Sequence, residues 1–196
     1  MSRGPMTPPT QTVDVLVWGG GTGGVAAAIQ TARGGARTLL LTPGAWLGGM
    51  VSAAGVCCPD GNELTPWQTG LWGAFLRELA QREPEGLDHN WVSCFGYRPA
   101  TAEAILQDWV RALPNLAWRP QCCLLEVERR GGRITAVEVE RSVAGARERE
   151  RIGCTLVIDG SDRGDLLPLA QAPFRLGWEP QEQWGEPSAP SQQRLE

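Results

Sequence analysis

Lysine is missing from this chain: all 18 positive side chains are arginine. That excludes a Walker-type phosphate-loop lysine, a Schiff-base lysine and pyridoxal phosphate chemistry. Histidine is nearly missing as well. With His89 alone, no histidine-rich metal site can be built, and a Ser-His-Asp triad would have to use that residue. Positive charge is in deficit, with a net charge of −4 and no basic stripe, which argues against a nucleic-acid partner. Long hydrophobic runs are absent too. The apolar stretch at 13–28 carries Asp14 and five glycines, so it is neither a signal-peptide core nor a membrane span. The opening MSRGPMTPPTQT has no apolar signal region. The six cysteines include two sequence-adjacent pairs, Cys57-Cys58 and Cys122-Cys123, and no C-x-x-C. This pattern reads as reduced, mostly structural thiols in a cytoplasmic protein.

What is present is enough for a folded domain. The chain has 196 residues, 42% hydrophobic and 20% charged. Glycine stands at 25, about 13% of the chain, nearly twice the usual ~7%, and it is clustered rather than periodic. Residues 1–12 read as a Pro/Thr-rich disordered tail. Val13 to Trp18 is a β-branched apolar run that predicts a buried strand. A GGGTGG turn follows, then a helix from Thr22 to about Arg33, stopped by Gly34-Gly35. ARTLLLT (36–42) predicts a second buried strand. Together these form a β-turn-α-β unit with parallel strands.

A loop-like, Gly-dense stretch occupies 43–62. Thr65-Pro66 reads as an N-cap with proline at the first helical position, and Trp67, Leu71, Phe75 and Leu79 form a stripe ending near Arg82. Residues 83–98 are irregular, so 51–98 reads as an insertion toward a substrate region. Pro99 to about Leu113 predicts a helix with the stripe Ile105, Leu106, Trp109, Val110 and Leu113, ended by Pro114. The period then changes to two. Strands at 122–128, 134–140 and 146–152 form an antiparallel meander, and CTLVID (154–159) is a further buried strand. The expected fold class is α/β: a Rossmann-type domain over 13–170 with a parallel sheet and a meander crossover. An irregular tail follows from 171.

The chemistry-bearing motif is Gly19-Gly20-Gly21-Thr22-Gly23-Gly24. Gly19, Gly21 and Gly24 satisfy G-x-G-x-x-G between a strand and a helix, the context that marks a dinucleotide fingerprint. The first glycine makes the turn, the second admits a pyrophosphate, and the third lets helix and strand approach. Amides at the helix N-terminus then face the phosphates. The acid that usually reads the ribose at the end of the second strand is replaced by Thr42. No Asp or Glu occurs from Val25 through Pro59. A threonine hydroxyl donates one hydrogen bond where a carboxylate accepts two.

VDVLVWGGGTGGVAAAIQTARGGARTLLLTPGAWLGGMVSAAGV resembles the N-terminus of the bacterial FAD-dependent oxidoreductase family, within the glutathione-reductase-like flavoprotein superfamily. Trp46-Leu47-Gly48-Gly49-Met50 resembles that family's second glycine motif, which lies along the FAD pyrophosphate and ribityl chain. A domain for nicotinamide alone has no reason for that Gly-Gly, which argues against an NAD(P)-binding module. Segments 92–110, 155–170 and 174–190 resemble later blocks of the same family. The resemblance implies FAD as cofactor, with Gly160 and Ser161 near the phosphates and the Leu124 backbone near the adenine. It implies a small-molecule substrate, and also a distal part, since family members are usually much longer.

Two functional readings stay open. One is the FAD-binding portion of a flavin-dependent oxidoreductase. The other is a non-catalytic FAD-binding half that pairs with a separate C-terminal half or self-associates. No catalytic base is named and no metal is expected. His89 reads as a surface loop residue, with proton transfer as the rival. Cys57-Cys58 read as buried thiols, with a redox pair as the rival. Asp159, Asp162 and Asp165 resemble a metal loop only superficially, and Asp165 is expected to cap the next segment. The nine tryptophans read as core and rim packing.

Overall fold

The computed structural model describes residues 11–59, 66, 68–83, 85, 87, 93–143 and 145–195. The sequence expectations for residues 1–10, Thr65, Trp67 and His89 lie outside the described residues.

Strand β1 (Gln11–Trp18) begins two residues earlier than its apolar run suggests. Gln11 and Thr12 pair with Ile152 and Gly153, so a partner strand extends the ladder beyond the hydrophobic signal. Helix α1 (Thr22–Arg33) buries Val25, Ala28, Ile29 and Ala32, a stripe at helical spacing that faces the sheet. It ends at Gly34, and Gly35 takes the left-handed conformation (φ +92) that glycine adopts without penalty. Strand β2 (Thr38–Leu41) then runs parallel to β1, with Val15 opposite Thr38 and Trp18 opposite Leu41.

Helix α2 (Gly70–Arg82) starts four residues after Pro66, with Thr69 rather than Thr65 as N-cap. Its Phe75 and Leu79 are buried as the stripe predicts. Helix α3 (Pro99–Arg111) opens on proline and buries Ala102, Ile105, Leu106 and Val110. The segment before it is tied down. The Arg98 amide donates to the Glu83 carboxylate at 2.9 Å, and the Ser93 hydroxyl donates to the Pro59 carbonyl at 2.6 Å. Phe75 stands edge-on to Tyr97 and Trp109, and Trp72 edge-on to Phe95. Trp72 and Trp109 therefore serve an aromatic cluster, as expected of packing tryptophans.

A strand that the sequence reading missed follows the Pro114 turn. Strand β3 (Leu116–Arg119) pairs parallel with β2. At four residues its pattern is too short to announce itself. It is fixed from outside: Asn115 Nδ2 donates to the carbonyls of Ala32 and Ala36, each at 2.8 Å, holding the turn against the end of α1.

The meander is β4 (Cys122–Arg130), β5 (Arg133–Val143) and β6 (Ala146–Asp159), and the sheet order is β3-β2-β1-β6-β5-β4. The expected strands at 146–152 and 154–159 are one continuous strand. Its first part, up to Gly153, lies antiparallel to β5. From Ile152 to Asp159 it lies parallel to β1. Two cores result. One lies under α1, α2 and α3, around Val17, Ile29, Leu40, Leu79 and Ile105. The other lies on the opposite face, around Leu16, Leu39, Val137, Ile152 and Leu166. On the wet face of the meander Arg and Glu alternate. Arg151 and Arg130 both reach Glu128, and Arg147 and Arg149 both reach Glu140.

Two short helices, α4 (Leu166–Leu169) and α5 (Gln181–Trp184), complete the described chain. The tail, expected to be irregular, folds back on itself. Trp178 and Arg194 exchange both backbone hydrogen bonds, at 2.7 and 3.0 Å, and the Arg175 guanidinium sits 4.3 Å from the Trp184 ring centre. No helix among the described residues is long and apolar enough to cross a membrane.

Candidate functional site

The site forms where β1, α1 and β6 meet. Beyond Trp18 the chain turns at Gly19 (φ +106), whose amide still donates to the Leu41 carbonyl at 2.9 Å. A Cβ on Gly19 would lie 2.4 Å from the Gly160 carbonyl carbon, and one on Gly24 would lie 2.1 Å from the Gly19 carbonyl oxygen. A Cβ on Gly160 would in turn lie 2.5 Å from the Gly24 Cα. Three backbones therefore touch, and only glycine permits it. Gly19 and Gly24 do what the fingerprint predicts of its first and third glycines. Gly160, beyond the motif, is the third member of the contact.

Gly21 is the N-cap of α1, and the groove opens in front of it. A Cβ there would meet only the Asp162 carboxylate at 3.3 Å and the Gly160 carbonyl at 3.6 Å. Gly23 has nothing near it. The first-turn amides of a helix lack intrahelical acceptors, so those of α1 point their partial positive charge at this opening. The groove measures about 520 Å³. Gly21, Thr22 and Gly23 form one wall, Ile158 to Asp162 the other, and Met50 the rim.

The second glycine loop is stitched to the first. The Gly48 amide donates to the Gly20 carbonyl at 2.7 Å, and the Thr22 hydroxyl donates to the Gly48 carbonyl at 2.9 Å. Gly48 is left-handed (φ +111), and a Cβ there would meet Leu106 and Ser52 at 2.6 Å. Gly49 passes Gly21 closely, with 3.0 Å between its would-be Cβ and the Gly21 Cα. Leu47 anchors the loop in the core, leaving Trp46 and Met50 exposed, with Met50 at the groove. The Thr22 hydroxyl is thus structural.

Thr42 is placed differently from expectation. It is fully buried. Its hydroxyl donates to the Gly44 carbonyl at 2.8 Å and accepts from the Trp118 indole at 3.1 Å, so it does not face a ribose. The cause is β3, which brings Trp118 beside β2. The Leu124 side chain packs against the meander core. Ser161 lines it, but its amide and hydroxyl both donate to the Asp159 carboxylate, at 3.0 and 2.5 Å. Asp165 takes the N-cap position of α4, as expected, but its carboxylate makes no capping hydrogen bond. Its carboxylate accepts the Trp18 indole at 3.0 Å, while Asp159 accepts the Leu166 amide at 2.9 Å.

All six thiols are free. Burial, with Cys58 adding to it, pushes the Cys57 thiol up, and burial likewise raises Cys122 and Cys154. A raised thiol is the opposite of an activated one. Burial also pushes the Tyr97 hydroxyl well above its usual range. Among the described residues no cluster is suited to a metal.

A strand–glycine loop–helix groove, closed by a second glycine loop and by the glycine that follows β6, is the arrangement expected of a cradle for a dinucleotide phosphate chain. The model of the family described as FAD dependent oxidoreductase matches residues 14–196. The chain belongs to this family. No curated protein sequence matches it. Among solved structures it is similar to p-nitrophenol 4-monooxygenase PnpA from Pseudomonas putida, with TM-score 0.55 and 17% identity, over 82% of this chain and 44% of that one. It is similar to AlpK, with TM-score 0.56 and 22% identity, over 86% of this chain and 35% of the other. It also resembles the 3-ketosteroid-delta4-(5alpha)-dehydrogenase from Rhodococcus jostii, with TM-score 0.52 and 15% identity, over 78% of this chain and 46% of the other. At such identities the likeness is one of fold. The chain spans less than half the length of each of these three.

Proposed function

We propose that this chain is the FAD-holding portion of a flavin-dependent oxidoreductase that acts on a small organic substrate. The observation that carries the reading is the pairing of the two glycine loops across the N-terminus of α1. Gly21 and Gly23 leave bare backbone there, and Gly48 and Gly49 close one side. Bound FAD supplies the hydride- or electron-accepting ring. The chain's own residues bind and orient it. First-turn amides of α1 neutralise the phosphates, the Gly19–Gly24–Gly160 contact fixes the turn, and Met50 gives apolar contact at the rim.

Gly21→Val tests this. It places a branched side chain in the open wall, where only Asp162 and the Gly160 carbonyl are near, so the variant is expected to fold. It should lose the rise in melting temperature that FAD gives the wild type. Equal stabilisation of both proteins by FAD would move the cofactor elsewhere.

In a second reading the chain binds FAD but turns over substrate only with a separate C-terminal half. The exposed apolar side chains of the tail favour it: Trp178 is 61% exposed and Trp184 52%. Flavin reduction by a defined substrate, by this chain alone, would exclude that reading.

A further inference from the structure

The groove in front of Gly21 has an unexpected charge. One wall is the positive end of α1. The facing wall carries two carboxylates, Asp159 and Asp162. Asp159 is spent internally on the amides of Ser161 and Leu166 and on the Ser161 hydroxyl. Asp162 is exposed, no described residue holds its carboxylate, and its Oδ1 is the atom nearest to where a Gly21 side chain would begin, at 3.3 Å. Arg163 follows it in sequence and is also exposed, yet it does not line the groove. The glycine fingerprint keeps this volume free for a phosphate chain, and a negative side chain points into it.

We propose that Asp162 acts as an electrostatic brake on the site: it lowers the affinity for the anionic pyrophosphate and sets how readily the cofactor exchanges. This rests on the reading of the groove as an FAD cradle. The physical argument is the sign and the range of the interaction. Two phosphate charges within roughly 5 Å of a carboxylate are repelled even at the dielectric of water, enough to weaken binding about ten-fold. The α1 amides still attract the same phosphates, so the site binds but binds loosely. Repulsion between exposed charges is also screened by salt, whereas a hydrogen bond from carboxylate to ligand hydroxyl would survive screening better.

The test is FAD titration of the wild type, Asp162→Asn and Asp162→Ala by flavin fluorescence quenching, with melting temperatures recorded without ligand. Asparagine keeps the shape, and alanine guards against a new donor from the amide. Both variants should bind FAD about ten-fold more tightly at ~0.01 M salt, and the gain should shrink to about two-fold at ~1 M, where the Debye length is about 3 Å. Their unliganded melting temperatures should match the wild type. Equal affinity of all three proteins would overturn the proposal and leave the FAD cradle standing. Weaker binding by the variants would also overturn it, because the carboxylate would then be accepting a ligand hydroxyl. Saturation by none of the three would overturn the cradle itself, and the brake with it.

Discussion

Thr42 stands where the fingerprint places an acid, and its environment shows what it does instead. Its hydroxyl links the Gly44 carbonyl to the Trp118 indole with no exposed surface. Thr42→Val keeps the shape and strands the indole N–H. Losing a buried hydrogen-bond partner costs about 1–3 kcal/mol. We therefore expect Thr42→Val to unfold at lower urea by that amount while its FAD affinity stays unchanged. An altered dissociation constant at unaltered stability would return Thr42 to the ribose. The same logic separates Asp159 from Asp162 within one loop: three internal donors hold the first, and none of the described residues holds the second.

At the scale of elements, the charged meander has its own pH dependence. Burial alone would raise the Glu128 carboxyl, but Arg151 and Arg130 outweigh it and hold it below its ordinary value of 4.5. A depressed carboxylate contributes stability that is fully present above the unfolded value and is lost as pH falls through the folded one. The wild type should therefore lose stability faster than Glu128→Gln as pH drops from ~5 toward ~3. Parallel curves in urea denaturation across that range would show that the two arginines do not tune Glu128. The elements that were legible in sequence were those with a period or a punctuation mark, such as α1 with its Gly34-Gly35 stop and α3 with Pro99. Strand β3 was illegible, because its four residues are held by Asn115 and by β2 rather than by any pattern of their own. Strand β6 was read as two because its polar half and its apolar half look like different strands. Only pairing with β5 on one side and β1 on the other makes them one. The cradle was legible through its glycines. The Asp162 carboxylate at its mouth was not, since sequence gives no direction to a loop side chain.

For the whole molecule, the distribution of apolar surface matters most. Phe174, Leu176, Trp178, Trp184 and Leu195 are each at least half exposed, and all belong to the tail. Clustered exposed apolar groups promote association. The chain should self-associate with rising concentration in light scattering, and Leu176→Arg with Trp178→Arg should shift it toward monomer without changing FAD affinity. A concentration-independent monomer would show that the tail's own clasp satisfies these groups.

The continuity of β6 has one more consequence, for how this protein tolerates changes of length. A single backbone is bonded to β5 at one end and to β1 at the other, so it works as a ruler between the hairpins and the cradle. Each residue of strand measures about 3.3 Å. A residue gained or lost within Gly153–Asp159 would slide Gly160 by that distance past Gly19 and Gly24, whose contacts with it have no slack. The same change at the turn between β4 and β5 would be absorbed outside the ruler. Loop growth belongs at the hairpin tips, while the spacing from Gly153 to Gly160 is fixed by the cradle it has to reach.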